Sequence, residues 1–359
     1  MYSNNALLQS KPHFLNLDGF RGLVALIVVL FHFMEIIQSD FTKNPLAHGF
    51  LGVDFFFCLS GFVIAYAYDQ RAVQLSIWDF IKLRLIRLHP FVVIGAILGL
   101  LSFIFDPFQN LYEQYGFTQT IIFFLNGLFL IPYPMMEERF FNLFSFNAPS
   151  WSLFWEYVSN LFYILIIYKF SKNMLSILAI IFGLSIFYIV YTHHNLLGGW
   201  NGETFWHGGA RVAYSFTIGM LIFRRNWIIP NNLSFYAIGA LLLGSFFTPY
   251  NETTNWILEP FIVLVYFPFI VALGAGSTRK AKQTKYINLA GELSYPLYMI
   301  HYPFIWIFLG YYMAHNPSSQ ELLMLVPAST IGLVLLAFIS YRYLDKPIRN
   351  YFKIRLLNK

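Results

Sequence analysis

The chain has 359 residues, of which 58% are hydrophobic and only 11% are charged. Soluble domains carry about 25% charged residues, so this composition excludes an ordinary soluble protein and indicates an integral membrane protein. The formal net charge of +6 does not indicate a nucleic acid partner, because most of the basic residues fall in loops on one side of the predicted topology. The single cysteine, Cys58, excludes an internal disulfide, a cysteine-based zinc site and an iron–sulfur cluster.

Ten apolar segments approach the length of about 20 residues that a helix needs to cross a bilayer core. They predict an all-α, polytopic membrane helix bundle. The predicted spans are 19–38, 50–68, 89–105, 151–168, 174–192, 207–223, 233–248, 255–273, 293–312 and 322–344. An eleventh apolar segment, 120–131, is shorter and is followed by Pro132 and Pro134.

Basic residues indicate whether segment 120–131 crosses the membrane, since Lys and Arg concentrate in cytoplasmic loops. If it does not cross, most basic residues fall on one side: the N-terminus, the 71–87 loop, Lys169, Lys172, Arg224, Arg225, the 279–285 loop and the tail from Lys346. We therefore predict cytoplasmic N- and C-termini and a re-entrant or interfacial segment at 120–131. Because the loops are short, we expect one membrane domain over residues 1–359 without an appended soluble domain.

Two ionisable residues lie in the first predicted span, within DGFRGLVALIVVLFHF (18–33). Arg21 and His32 are eleven positions apart, which places them on nearly one helix face, about 16 Å apart along the axis. Ionisable groups at membrane depth are energetically costly and are often functional. We favour a functional role for His32 over a hydrogen-bonded core histidine, whereas Arg21 taken alone fits a side chain that reaches the membrane surface.

A basic cluster, KLRLIRLHP (82–90), enters the third predicted span from the cytoplasmic side. Arg84 and Arg87 are three positions apart and share a helix face. Guanidinium groups bind phosphate oxygens in a bidentate manner, so the pair suits a phosphate-rich ligand. Basic residues beside a membrane also fix topology or bind anionic lipid, and the spacing alone does not choose between these roles.

A carboxylate lies in the motif NAPSWSLFWEY (147–157), where an outer loop enters a span. Glu156 is expected about 8 to 10 Å below the outer face, close to the depth expected for His32. A carboxylate beside a histidine would orient it as a general base. The alternative is an interfacial Glu156 paired with Arg211 or with solvent.

A second histidine lies near mid-membrane in GELSYPLYMIHYP (291–303). Pro296 and Pro303 free backbone carbonyls around His301, which is tolerated where protein or a water-filled cavity satisfies them. A cavity and a purely structural kink both remain open. The cluster of His193, His194, Glu203 and His207 matches no standard zinc spacing, so no metal site is predicted.

Taken together, these motifs resemble the acyltransferase family 3 membrane proteins, which O-acetylate bacterial surface sugars. The motifs occur in order between residues 17 and 349: LDGFRGLVALIVVLFHF, GVDFFFCLSGFVI, RLIRLHP, WSLFWEYVSNLFY, SYPLYMIHYP and YRYLDKPIR. Two departures from the family pattern are Asp345, where Glu is common, and the lack of the fused extracytoplasmic hydrolase-like domain that some members carry.

The resemblance implies acetyl-CoA as the cytoplasmic donor substrate and a hydroxyl of a glycan or lipid-linked sugar as the acceptor. It makes Arg21 and His32 paired essential residues, and Arg84 and Arg87 the donor-binding motif, which Arg21 joins. We add Glu156 to the expected catalytic residues. The expected cavity lining comprises His301, Tyr298, Trp151, Ser152 and Asp54.

The resemblance also implies a multi-pass protein of the bacterial plasma (inner) membrane, in contact with the lipid bilayer and with glycan-assembly proteins as further partners. No permanently bound cofactor is expected. The sequence leaves open whether His32 is a general base or a transient acyl carrier. The alternative function is a transporter or flippase of a lipid-linked sugar or small molecule, with His32, Glu156 and His301 as a polar relay.

Overall fold

The structure, a computed structural model, describes residues 14–278 and 284–357. The first 13 residues and most of the 279–285 loop, which entered the topology prediction, lie outside the described residues. The helices are α1 (Leu15–Ile37), α2 (Gly52–Tyr68), α3 (Ile77–Ile104), α4 (Leu111–Phe129), α5 (Ser150–Leu165), α6 (Lys172–His193), α7 (Phe205–Arg224), α8 (Phe235–Phe246), α9 (Asn255–Phe261), α10 (Phe267–Gly276), α11 (Thr284–Ile300), α12 (Tyr302–His315), α13 (Ser319–Ser340) and α14 (Lys346–Leu357). Two π-helical segments, Ile262–Tyr266 and Tyr341–Asp345, join α9 to α10 and α13 to α14.

Serine caps begin four of these helices. Ser76, Ser171, Ser234 and Ser318 each accept a hydrogen bond from the backbone N–H three residues later. Such a cap satisfies one of the donors that a helix N-terminus leaves free. Because of its cap at Ser76, α3 begins well before the predicted span 89–105, and the motif KLRLIRLHP lies inside the helix.

Helix length and surface indicate a membrane protein. Within the described residues, six helical segments are long and apolar enough to cross a membrane: Leu15–Ile37, Gly49–Tyr68, Ile77–Ile104, Lys172–His193, Asn255–Gly276 and Ser319–Phe352. Large apolar side chains face outward on two of them, with Leu184 63% and Leu323 76% exposed. Long helices with exposed apolar faces are typical of contact with lipid. The predicted all-α, multi-pass membrane architecture is confirmed.

The finer division into spans differs from the prediction in two places. Helix α8 has only 12 residues, which is about 18 Å of helix against a bilayer core of about 30 Å. The predicted span 293–312 is divided at His301, where α11 ends and α12 begins with Pro303 in its first turn. Proline starts a helix readily because its missing N–H would have no partner there.

Contacts between loops define the two ends of the bundle. At one end, the Arg224 guanidinium donates to Asp69, which follows α2, and to the carbonyl of Phe170, which follows α5. At the other end, Asn142 before α5 pairs with Asn201 before α7. Loops that the predicted topology places on the same side of the membrane therefore contact one another.

Segment 120–131 forms most of the second part of α4, which is broken at Gly116 by a φ of 69°. Phe108, which precedes α4, packs against His315 at the end of α12, with ring centroids 5.5 Å apart. Asn142, which follows α4, pairs with Asn201. Both flanks of α4 lie at the end of the bundle where α1 ends.

Glycines allow α1 and α11 to pack with their backbones in contact. A Cβ at Gly22 of α1 would lie 2.6 Å from the carbonyl oxygen of Ala290, and one at Gly291 of α11 would lie 2.7 Å from that of Asp18. Only glycine tolerates so close an approach. Small residues at helix contacts are the usual means of tight packing in membranes. This contact holds α1 against α11, the two helices that end in the site described next.

Candidate active site

His32 of α1 forms a pair with a carboxylate one turn further along the same helix. His32 Nδ1 lies 2.6 Å from Glu35 Oε1, and both side chains are partly buried. Since an ionised carboxylate only accepts hydrogen bonds, the histidine donates from Nδ1. A neutral His32 then carries its lone pair on Nε2, the state required of a general base or a nucleophile.

His301 packs directly on His32. The two rings are nearly parallel, at 24°, with centroids 5.3 Å apart. His301 is fully buried, and its Nδ1 lies 2.8 Å from the carbonyl oxygen of Tyr298, to which it donates. Its Nε2 has no hydrogen-bond partner among the residues that the structure describes. His301 thus supports the His32 ring from behind and is not among the residues that line the adjoining cavity.

A cavity of about 330 Å³, which we call the histidine cavity, opens in front of His32. Its non-aromatic polar lining comes from His32, Glu35, Ser39, Asn142 and Arg211. Its walls are largely aromatic. The aromatic residues are Phe31, Phe50, Phe140, Trp151, Trp200, Tyr298, Tyr302 and Trp306. An apolar pocket with a few convergent polar groups is the usual form of a small-molecule site.

A second, larger cavity of about 630 Å³ lies on the other side of Tyr298, and we call it the arginine cavity. Its polar lining combines four guanidinium groups with several carboxylates. The arginines are Arg21, Arg84, Arg87 and Arg349, and the acidic residues are Asp18, Glu156, Glu292 and Asp345. The structure therefore brings Arg21 together with Arg84 and Arg87, while His32, on the same helix as Arg21, lines the other cavity.

Glu156 lies in the arginine cavity and pairs with an arginine. Its Oε1 accepts hydrogen bonds from Arg84 at 2.8 Å and from the Ser60 hydroxyl at 3.1 Å. The expectation that Glu156 orients His32 is corrected, because Glu35 holds that position, and so is the alternative pairing with Arg211. The depth estimate failed because α3 is long, so Arg84 lies inside the bundle and reaches Glu156. Arg84 Nε is buried without a hydrogen-bond partner among the described residues, and Arg84 lines the cavity.

Tyr298 and Ser152 form the boundary between the two cavities. Tyr298 lines both, and its hydroxyl lies 2.7 Å from Ser152 Oγ, on a residue that lines the arginine cavity. Trp151 lines the histidine cavity. Three of the residues expected in the cavity lining therefore line at least one cavity: Trp151, Ser152 and Tyr298.

Asp54 forms a buried ion pair behind the histidine cavity instead of lining it. Its carboxylate accepts from Arg211 Nη2 at 2.6 Å and from Nε at 3.1 Å, and both side chains are almost completely buried. Arg211 also packs over the Trp151 ring at 5.3 Å. The cavity-lining assignment of Asp54 is corrected: it holds Arg211, which lines the cavity, and Arg211 in turn supports Trp151.

Three residues of the site were not selected from the sequence. Glu35 carries a readable signal, since residues three apart share a helix face and Glu35 stands three positions after His32. Arg349 carries a similar signal, since it stands four positions after its partner Asp345. Arg211 carries no local signal, because its partner Asp54 is 157 positions away and is brought near only by the fold.

The histidine-rich loop between α6 and α7 brings His193 and His207 together, with ring centroids 4.5 Å apart. Within the described residues, no group of three or more His, Cys, Asp or Glu side chains is placed to hold a metal ion.

A family model described as an acyltransferase domain, that of acyltransferase family 3, matches residues 14–342. The chain belongs to acyltransferase family 3. Membership makes the chain a membrane acyltransferase. The matched residues include every residue that lines the two cavities except Asp345 and Arg349 of the arginine cavity. The resemblance inferred from the sequence motifs is confirmed.

Curated relatives include O-acetyltransferases. The chain is 34% identical over 165 residues to "Protein 2 in picA locus" of Rhizobium radiobacter, an alignment covering 43% of this chain and 83% of the relative. It is 23% identical to "Peptidoglycan O-acetyltransferase OatA" of Listeria monocytogenes, covering 96% of this chain and 58% of the relative. For "O-acetyltransferase OatA" of Staphylococcus aureus the identity is 25%, covering 94% and 58%. The chain thus spans little more than half the length of the OatA relatives, and no solved structure matches.

Proposed function

We propose that this family 3 acyltransferase moves the acetyl group of cytoplasmic acetyl-CoA to a hydroxyl of a cell-surface or exported carbohydrate. The observation that carries the proposal is the pair of cavities that meet at Tyr298, one lined by four arginines and the other by the His32–Glu35 pair. One cavity suits an anionic donor, and the other suits a hydroxyl that must lose a proton.

The arginine cavity is proposed to bind the phosphates of acetyl-CoA. Arg84 and Arg87 present guanidinium groups from one face of α3, and Arg21 joins them from α1. Charge-assisted bonds from arginine to phosphate are among the strongest in proteins. Arg84 fits this role, since Glu156 holds its guanidinium at the wall of the cavity.

Membrane orientation supports a cytoplasmic donor. Arg224, Asp69 and the loop after α5 lie at one end of the bundle, and that end carries most of the basic loop residues. We propose ten crossings with cytoplasmic termini and with α4 confined to the outer side, in a bacterial plasma membrane. The arginine cavity then opens toward the cytoplasm and the histidine cavity toward the outside.

The histidine cavity is proposed to bind the acceptor. In the reaction, His32 Nε2 removes the proton of the acceptor hydroxyl as its oxygen attacks the acetyl carbonyl, and Glu35 stabilises the resulting imidazolium. Aromatic walls offer flat apolar surfaces to a sugar ring. The O-acetyltransferase names of the OatA relatives support transfer to oxygen, and the peptidoglycan named for the Listeria protein supports a glycan acceptor. Glycan-assembly proteins are proposed as partners that deliver it.

The test is chemical analysis of the cell surface. In the source strain, deletion of the gene should remove base-labile O-acetate from the isolated surface glycan, and the wild-type gene should restore it. A His32→Ala variant expressed at a normal level should not restore it, because alanine neither accepts a proton nor attacks a carbonyl. The matched control is His315→Ala, on the exposed end of α12, which should restore wild-type acetate.

Two results would contradict the proposal. Unchanged O-acetate in the deletion strain would exclude the glycan as the acceptor. Failure of the purified protein to bind acetyl-CoA in calorimetry would exclude the donor and favour the transporter alternative, which needs no acetyl-CoA.

A further inference from the structure

Tyr298 occupies a position that no other tyrosine of the described chain shares. It lines the histidine cavity together with His32 and the arginine cavity together with Arg84. The ring is almost buried, at 8% exposure, and packs edge-on against Phe56 with centroids 5.6 Å apart. Its carbonyl oxygen accepts from His301 Nδ1 at 2.8 Å. Tyr298 is therefore held by its neighbours at the point where donor and acceptor would meet.

The Tyr298 and Ser152 hydroxyls share a hydrogen bond of 2.7 Å, in which either hydroxyl can be the donor. The Ser152 hydroxyl also lies 2.9 Å from the carbonyl oxygen of Pro149. That carbonyl accepts a hydrogen bond from the backbone N–H of Ser152 at 3.1 Å as well, so it keeps a partner when the Ser152 hydroxyl turns to Tyr298. Since a hydroxyl has one proton and two lone pairs, donation from Ser152 leaves the Tyr298 proton free for a ligand and fixes the position of the phenol oxygen.

We propose that the Tyr298 hydroxyl is a catalytic hydrogen-bond donor that binds the carbonyl oxygen of the acyl thioester during transfer, and that Ser152 is its positioning residue. The proposal rests on the function proposed above. It adds the group that stabilises negative charge, which neither the His32–Glu35 pair nor the arginines supply at the boundary of the cavities.

The transfer step balances with these groups. The acceptor oxygen forms a bond to the thioester carbonyl carbon, the acceptor proton goes to His32 Nε2, and the carbonyl electron pair moves onto its oxygen. Tyr298 donates a hydrogen bond to that oxyanion. The carbonyl then re-forms, the carbon–sulfur bond breaks, and His32 returns the proton to the departing CoA thiolate. Donors placed where charge develops in the transition state are usually the largest single contribution to such reactions.

The experiment compares Tyr298→Phe with wild type in two measurements. The first is the initial rate of transfer of labelled acetate to the surface glycan in deletion-strain membranes supplied with acetyl-CoA. The second is the dissociation constant of acetyl-CoA for the purified full chain. We expect the rate to fall on the order of 100-fold, because phenylalanine removes one oxyanion donor, while the dissociation constant changes by less than about twofold.

The matched control is Tyr214→Phe. Tyr214 is also buried, and its hydroxyl donates to the carbonyl oxygen of Leu264 at 2.6 Å. It is not among the residues that line either cavity. This variant loses an equivalent hydroxyl and should keep the wild-type rate. A second variant, Ser152→Ala, leaves the Tyr298 hydroxyl in place without its partner, and we expect a smaller loss of rate, again with unchanged donor binding.

A 3-fluorotyrosine at position 298 separates catalysis from packing, because fluorine makes the phenol more acidic with little change of shape. The rate of a catalytic donor responds to that acidity, whereas a structural hydroxyl leaves the rate unchanged. A wild-type rate in Tyr298→Phe, or an equal loss in Tyr214→Phe, would overturn the proposal. If wild-type membranes transfer no labelled acetate, the proposed function itself fails.

Discussion

At the residue scale, Glu35 determines which nitrogen of His32 is free to react. Its carboxylate accepts from Nδ1 at 2.6 Å, which leaves the Nε2 lone pair for the hydroxyl of the proposed acceptor. We expect Glu35→Gln to lower the transfer rate about 100-fold, because an amide neither fixes this tautomer nor stabilises the imidazolium. Acetyl-CoA binding, measured by calorimetry, should stay at its wild-type value.

Glu156→Gln is the matched comparison for Glu35→Gln, since it removes the same charge from the arginine cavity. Its effect should fall on acetyl-CoA affinity, through the loss of the charged partner of Arg84. The opposite pattern, with turnover lost in Glu156→Gln and kept in Glu35→Gln, would mean that Glu156 and not Glu35 serves His32.

Arg84→Ala should affect both donor binding and folding. Loss of its bonds to phosphate should weaken acetyl-CoA binding about 10- to 150-fold. Its removal also leaves Glu156 as an unpaired carboxylate, which is expected to destabilise the fold by about 3 kcal/mol. The measurements are calorimetry and thermal unfolding in detergent.

The double variant Arg84→Met/Glu156→Gln separates these two effects. It removes both charges, so the unfolding temperature should recover while donor binding stays weak. Recovery of donor binding in the double variant would contradict the assignment of Arg84 to the phosphates.

Single residues also mark the limit of sequence-based inference. His32 and Arg84 stand out in the sequence because an ionisable group inside an apolar helix is conspicuous, and the structure places each of them in the lining of a cavity. Their carboxylate partners were predicted wrongly, because Glu35 pairs with His32 and Glu156 pairs with Arg84. Glu35 was overlooked although it is one turn away, whereas Glu156 was matched to His32 by an estimate of depth. Depth along a helix does not specify which neighbouring helix a side chain faces, and that requires the packing of α3 against α5.

At the element scale, α2 and α7 depend on a backbone contact made by two glycines. A Cβ at Gly61 would lie 2.0 Å from the carbonyl oxygen of Phe216, and one at Gly219 would lie 2.0 Å from that of Cys58. We expect Gly61→Ala to separate the helices and to destabilise the protein by about 1 to 3 kcal/mol. Thermal unfolding in detergent measures the change.

Gly244 of α8 is the control for this substitution, because a Cβ there meets nothing within 4 Å. Gly244→Ala should leave the unfolding temperature unchanged or raise it slightly, since alanine favours the helix. An equal loss of stability in both variants would show that replacing any helix glycine destabilises the protein in detergent, and that the α2–α7 contact is not the cause.

Element boundaries were less predictable than element existence. Most predicted spans coincide with a helix, because runs of apolar residues are a strong signal. The extended start of α3 depends on the Ser76 cap, and the short α8 shows that an apolar run of spanning length can hold a helix of only 12 residues. Hydropathy reports which residues tolerate lipid, whereas caps and prolines determine where each helix begins and ends.

At the scale of the whole molecule, the proposed orientation predicts which sites a membrane-impermeant thiol reagent reaches in intact cells. Lys172→Cys and Lys285→Cys, both exposed in the structure, should stay unlabelled until the cells are permeabilised. Glu252→Cys, in the exposed loop between α8 and α9, should label at once. The native Cys58 is 1% exposed and provides an unreactive background. Labelling of Lys172→Cys from outside would contradict cytoplasmic termini and the ten-span topology.

The bond between the Tyr298 and Ser152 hydroxyls has a consequence for the cell as well as for the reaction. Tyr298 lines both the arginine cavity and the histidine cavity, and its bond to Ser152 lies where the two meet. Under the proposed function, a hydrated ion would face a high cost at this boundary of buried side chains, and the arginines behind it would retain the anionic phosphates of the donor. Only the small neutral acetyl group would then pass from one cavity to the other. The proposed reaction would therefore export a two-carbon unit while the membrane keeps its electrical insulation and the cell keeps its ion gradients.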